Sequence, residues 1–208
     1  MTNVVADTGW CIINIDTKTG RVFVREDWHY NWLVYPTAQP WTYQEKIRFH
    51  RQVDRAIWGV WSSGIKLQVF GPAPWPSRSV PITFDVRWAL SGRRHWEVMA
   101  NKVPPGSEPT FPIQSYTYAK VNIIQLSTAD ILPRQGVNEI GGSYDHHQVV
   151  AHEFGHTLRW WDDEYKKKSE FIGDTTSIMN IGYQVRSRHL VMLLLELNKM
   201  IPGVTFYA

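Results

Sequence analysis

The segment Val149-Val150-Ala151-His152-Glu153-Phe154-Gly155-His156-Thr157-Leu158 constrains this chain more than any other. Its two histidines are four residues apart, and residues so spaced in a helix stand one turn above each other on one face. Val150, Phe154 and Leu158 recur at the same interval and mark an opposite, apolar stripe. A helix carrying both stripes packs one face on a core and offers the other to a cleft. Two imidazoles on such a face can reach one Zn²⁺ at ~2.0–2.1 Å. Glu153 then falls beside the metal, where its carboxylate can hold a water and take its proton. His152 and His156 therefore read as metal ligands and Glu153 as the general base. A helix with two capped or surface histidines is the bland alternative.

The rest of the chain supplies a scaffold for that helix. Residues 10–16 and 21–25 read as a hairpin turning at Thr17-Lys18-Thr19-Gly20, and 26–42, rich in Trp, Tyr and Pro, reads as irregular. Residues 43–61 carry helical spacing at Ile47, Ala56, Ile57, Val60 and Trp61, ended by Ser62-Ser63-Gly64. Strand patterns follow at Ile65–Phe70, Ile82–Leu90 and His95–Val103, the last two joined by Ser91-Gly92-Arg93-Arg94. A Pro-rich link, Pro104 to Pro112, leads to a buried-strand pattern at Val121–Leu126. A loop with Gly136, Gly141 and Gly142 precedes the active helix, which is expected to start near Asp145, with Asp145 as N-cap and Gln148 completing a capping box. His146 and His147 would then face solvent in its first turn. A final helix spans about Ser187 to Met200 and stops at Pro202-Gly203. This order predicts a single α+β domain over 1–208, a mixed sheet on a long active-site helix plus a C-terminal helix, with 1–42 as a candidate N-terminal extension.

Several function classes are excluded or disfavoured. One cysteine, Cys11, within an apolar run, rules out an internal disulfide and a C-x-x-C metal site. The small basic clusters Arg93-Arg94 and Lys166-Lys167-Lys168 carry no interleaved aromatic ladder, so they read as solvated surface and not as a nucleic-acid interface. No apolar run approaches the ~18 residues of a membrane span, and residues 1–7 show no cleavable signal pattern. Eleven tryptophans imply rings that fill a core or line a groove.

His152-Glu153-Phe154-Gly155-His156-Thr157-Leu158 with Asp163-Glu164-Tyr165 resembles the H-E-F-G-H-x-L…D-E-Y signature of a zincin group. Ser177-Ile178-Met179-Asn180 resembles the methionine-bearing turn beneath the metal in metzincins, and Val185-Arg186-Ser187-Arg188-His189 extends the likeness. The combination, over about residues 120–200, resembles metallopeptidase toxin domains of bacteria, including those on the spikes of type VI and related contractile secretion systems. The resemblance implies a zincin-like fold and a zinc peptidase acting on peptide or protein substrates. It also implies delivery into another cell without a cleaved signal, a partner immunity protein, and a secretion-system spike or chaperone. Hydrolysis of peptidoglycan stem peptides, or a zincin-fold binding module without turnover, are the rival readings; an intact Glu153 argues against the last.

The third ligand is open between three residues. The metzincin pattern H-E-x-x-H-x-x-G-x-x-H places Asp162 at the third-ligand position, but Arg159 replaces the Gly of the sharp turn and Trp160-Trp161 follow. His189, at the start of a second helix just after Met179, is preferred as a neutral nitrogen donor, and Glu196 on that helix ranks third. Tyr165 and Tyr183 are candidates to donate to a tetrahedral oxyanion.

Overall fold

The computed structural model describes residues 3–92, 94–107 and 114–208; Arg93 and the 108–112 part of the Pro-rich link lie outside them. The molecule is α+β, built on a mixed nine-stranded sheet. At its centre runs β3 (Val22–Val34), whose even-numbered residues Val22, Val24, Glu26, Trp28 and Tyr30 all face inward. This is the period-2 pattern of a strand with one buried face. It carries the chain through 26–34, where the Trp-, Tyr- and Pro-rich composition predicts irregular structure. The inward Glu26 and the interleaved His and Asn hide the alternation.

The predicted hairpin is present: β2 (Ile12–Asp16) pairs antiparallel with β3 in the register Ile15↔Val22, after β1 (Asn3–Asp7), which pairs with β2. Its turn closes with Gly20 at φ 77 and the Gly20 amide donating to Asp16 O. The hairpin thus belongs to the main sheet. β4 (Lys66–Phe70), β5 (Ser79–Trp88), β6 (Trp96–Lys102) and β8 (Ile123–Ser127) match the predicted strands within a few residues. β3 pairs parallel with β5 and β6, β6 pairs parallel with β8, and the short β7 (Tyr116–Tyr118) closes that end antiparallel to β8. At the other end β11 (Thr205–Tyr207) lies on β4, and Asn198 clamps it by accepting from the Phe206 amide.

The long helix of the fold is α1 (Tyr43–Trp61), with a Thr42–Glu45 capping box and Phe49, Val53, Ile57 and Trp61 on its buried face. The histidine-bearing helix α2 (Val149–Thr157) has only 9 residues. Asp145 does not cap it: Gln148 is the N-cap, and Asp145, His146 and His147 belong to β10 (Ser143–His147), which pairs with β9 (Arg134–Val137) in a separate hairpin. Every residue of α2 is buried. The expected apolar stripe therefore packs on the core, where Trp61, Phe84 and Phe154 meet with ring centroids 5.6–5.8 Å apart. Trp61 Nε1 also donates to Ala151 O at 2.9 Å, locking α1 to α2. The C-terminal helix is split into a 3₁₀ turn at Ser187–Leu190 and α3 (Val191–Leu197).

Candidate metal centre

His152 and His156 project from one face of α2 with their rings 5.0 Å apart. Each is oriented by a backbone carbonyl: His152 Nδ1 lies 2.8 Å from Ile178 O and His156 Nδ1 lies 2.8 Å from Trp160 O. A carbonyl accepts only, so both Nδ1 atoms carry the proton and both Nε2 atoms are left as lone-pair donors. They converge on Asp163, whose Oδ1 is 3.1 Å from His156 Nε2 and 3.6 Å from His152 Nε2. These three residues offer ligand atoms all within 4.8 Å of one another, a group that could hold a metal ion.

Asp163 reaches this position because the chain reverses after α2. Arg159 has φ 70, the left-handed conformation that a glycine usually supplies. The expected loss of the sharp turn is therefore corrected: the turn is made with arginine in it. Its guanidinium donates to Ala119 O at 2.5 Å and Asn122 Oδ1 at 3.1 Å and stacks over Trp96 and Trp161. These contacts hold the strained backbone. Asp162 turns away and accepts from Ser169 Oγ at 2.5 Å, so the carboxylate at the centre stands one residue beyond the metzincin spacing.

His189 and Glu196 do not join the pair. His189 is buried, with Nε2 3.1 Å from Glu164 Oε1, and its Nδ1 accepts from the Arg186 amide at 3.1 Å. Glu164 also takes both arms of Arg188 at 2.7 Å and the Ser177 hydroxyl at 2.5 Å. Arg186 and Arg188 both reach Asp174. His189 is thus a member of a buried polar network that fixes the 177–180 turn, and the preference for it as third ligand is corrected on that geometry. Glu196 pairs with Lys199 at 2.9 Å.

That turn lies directly beneath the histidines. Met179 is fully buried, and a Cβ added at Gly155, between the two histidines, would run into Met179 Sδ. The Met179 carbonyl accepts from the Glu164 amide at 2.9 Å, tying the turn to the carboxylate-bearing segment.

Glu153 lies next to the pair, with Oε2 accepting from Thr117 Oγ1 of β7 at 2.8 Å. Burial raises its carboxyl, more than the neighbouring His152 and His156 and the Thr117 hydrogen bond lower it. Burial also works against an ionised Asp163, but the two imidazoles outweigh it and hold that carboxyl well below the usual range. His156 is raised: burial would lower it, but Asp163 and Glu153 prevail. Tyr165, its ring 5.7 Å from that of His152, is kept protonated by burial and by the charges of Asp163 and Glu153. Tyr183 instead packs against Tyr144 and lines a different cavity. His147 sits 5.4 Å from the His152 ring, and burial with the adjacent His152 pushes it down to about 3, so it is neutral.

Two depressions flank the centre, sharing Gln114, Ser115, Glu153 and Tyr165. One, about 250 Å³, is walled by Arg134, His147 and Asn180; the other, about 330 Å³, by Tyr116, Trp161 and Lys166. Comparison with protein-family models, curated proteins and solved structures gave no match to this chain. The case for its function therefore rests on the centre itself. Asp163 is the member that spacing rules miss, although it stands in the Asp163-Glu164-Tyr165 run that carries part of the resemblance; Tyr165, already a candidate oxyanion donor, lies beside it.

Proposed function

We propose that the protein is a zinc-dependent peptidase of zincin type, with His152, His156 and Asp163 as metal ligands and Glu153 as general base. The observation that carries this reading is the convergence of two Nε2 atoms and one carboxylate beside a separate buried carboxylate. Zinc fits the donor set: two neutral imidazoles and a carboxylate match a catalytic zinc site, which keeps a fourth position open. The carbonyls of Ile178 and Trp160 supply the outer hydrogen bonds that hold each imidazole in its ligating tautomer. When bound, zinc would act as a Lewis acid on the scissile carbonyl and lower the pKa of a water.

The chain's own groups supply the rest. Glu153 accepts a proton from the attacking water as its oxygen bonds to the carbonyl carbon, and delivers that proton to the leaving amine as the C–N bond breaks. Its raised carboxyl suits this shuttle. The protonated Tyr165 phenol, lining both depressions, is placed to donate to the developing oxyanion. β7 ends the sheet, and Thr117 from it holds Glu153, so an extended peptide would lie along β7 and cross the centre. The resemblance to secreted bacterial effectors suggests a target outside the producing cell.

The test is digestion of casein peptides by zinc-loaded wild-type and Glu153→Gln protein, read by mass spectrometry alongside zinc content. Cleavage should fall by about 10²-fold or more in the variant while zinc is retained. Equal cleavage by both would reject Glu153 as the base.

A further inference from the structure

The β9–β10 hairpin sets Arg134 directly opposite His147, at the wall of the 250 Å³ depression that also contains His152 and Glu153. One arm of the guanidinium faces Asp130, Nη2 to Oδ1 at 3.6 Å. The other nitrogen, Nη1, is shielded from solvent yet has no hydrogen-bond partner, while the side chain as a whole is 34% exposed. Ser115 Oγ and Asn180 Oδ1, on the same wall, are likewise buried without partners. Unsatisfied buried polar atoms are rare, and each carries a desolvation cost that a bound group can relieve. Three of them lie in the wall of one depression beside the Glu153 carboxylate, where a bound polar group that they turn to meet would relieve their cost. A planar guanidinium with a free donor is suited to a carboxylate.

We propose that Arg134 forms an anion-accepting subsite that selects substrates bearing a carboxylate, a Glu or Asp side chain or its equivalent, next to the scissile bond. This inference rests on the peptidase reading for the position of that bond. The opposite depression combines Trp161 and Tyr116 with Lys166, so a point-charge ammonium beside aromatic rings lines one side of the centre and a guanidinium fork the other. Ser115 would supply a hydroxyl to the same substrate residue, and Asn180, whose NH2 is held by the carbonyls of Phe171 and Ile172, an oxygen that accepts from a substrate N–H.

The test uses two pools of acetylated, amidated, fluorescein-labelled octapeptides with randomised neighbours, one with a central Glu and one with a central Gln. Binding is measured by fluorescence polarisation on zinc-loaded Glu153→Gln protein, and cleavage of the same pools with wild-type enzyme. The Glu pool should bind about tenfold more tightly, in line with a charge-assisted hydrogen bond. Cut sites should cluster at a fixed distance from Glu. Arg134→Gln should abolish the preference, and Arg134→Lys, which keeps the charge and loses the fork, should retain part of it. Circular dichroism melting identifies any variant that fails to fold. Equal binding of both pools, or a Glu preference that survives in folded Arg134→Gln, would overturn the subsite. Arg134-dependent Glu binding without any cleavage would leave the subsite standing and reject the peptidase reading. Cleavage with no acidic preference would do the reverse.

Discussion

Gly155→Ala probes the contact on which the centre is built. In an open helix this exchange stabilises by about 1 kcal/mol, because alanine loses less backbone entropy. Here the new methyl would collide with Met179 Sδ and stand 3.0 Å from Trp61 Cζ2 and 3.1 Å from Met179 Cε. Met179 is fully buried, and its backbone is held by Glu164 and Ser177, so the thioether has little room to retreat. Overpacking a core by one methyl costs about 1–3 kcal/mol. The two effects leave a net loss of about 1 kcal/mol, or roughly 2–4 °C in Tm for a chain of this size. Urea unfolding of wild type, Gly155→Ala, Met179→Ala and the double variant measures it. The double variant should be more stable than the sum of the single changes predicts, because Met179→Ala opens the space the methyl needs. A stabilising Gly155→Ala, or strict additivity in the cycle, would refute the close packing of the turn beneath the helix.

Three further outcomes follow from the same contacts. Burial would raise the Glu164 carboxyl, but Arg188, His189 and Ser177 lower it from 4.5 to about 2. The unfolded chain therefore binds the proton first, and about 3 kcal/mol of stability should be lost between pH 4.5 and 2; a Glu164→Gln variant whose urea midpoint shows the same acid slope would contradict this. Glu26 is the opposite case, pushed up to about 8 by burial despite hydrogen bonds from Thr157 and Trp28. It is protonated at neutral pH, and stability should decline as pH rises from about 4.5 to 8. The Thr157 hydroxyl, 2.6 Å from both Glu26 Oε1 and Phe154 O, can donate to the carbonyl and accept from a protonated Glu26. A Gln amide reproduces that pattern, so Glu26→Gln should flatten the decline in urea titrations, and a steeper decline would exclude the neutral acid. Arg159→Ala keeps the left-handed backbone and loses the bonds to Ala119 and Asn122, whereas Arg159→Gly relieves the backbone by about 1 kcal/mol; midpoints should rank wild type, Gly, Ala, and an Ala variant as stable as the Gly one would contradict the strained turn.

The parts legible in sequence are those where one periodicity dominates. The helix at 43–61 carries its own cap in Thr42 and Glu45, and the stripe Val150-Phe154-Leu158 announces which side of α2 packs on the apolar core. Elements that are short or lack apolar alternation are hidden. β10, Ser-Tyr-Asp-His-His, has no apolar alternation, and only its last residue, His147, reaches the wall beside the centre. Tyr116–Tyr118 is too short to declare itself a strand without β8 beside it. The place of Asp163 beside the histidines is hidden for a related reason. A rule about glycine at position 159 concerns intrinsic backbone preference, and long-range contacts of the arginine side chain override it. His189 looked like a ligand because its partners Glu164 and Ser177 are brought to it only by the fold.

The most direct test of the central claim is zinc bound per chain, measured by equilibrium dialysis and elemental analysis, for wild type, His152→Ala, His156→Ala, Asp163→Ala and Asp162→Ala. The geometry predicts about one zinc in the wild type, as for a single catalytic site with three protein ligands. It predicts loss of tight binding in both histidine variants and in Asp163→Ala, and retention in Asp162→Ala, whose carboxylate is engaged by Ser169. A wild-type protein that binds no zinc, or an Asp163→Ala protein that binds it as tightly as wild type while Asp162→Ala does not, would contradict the assignment.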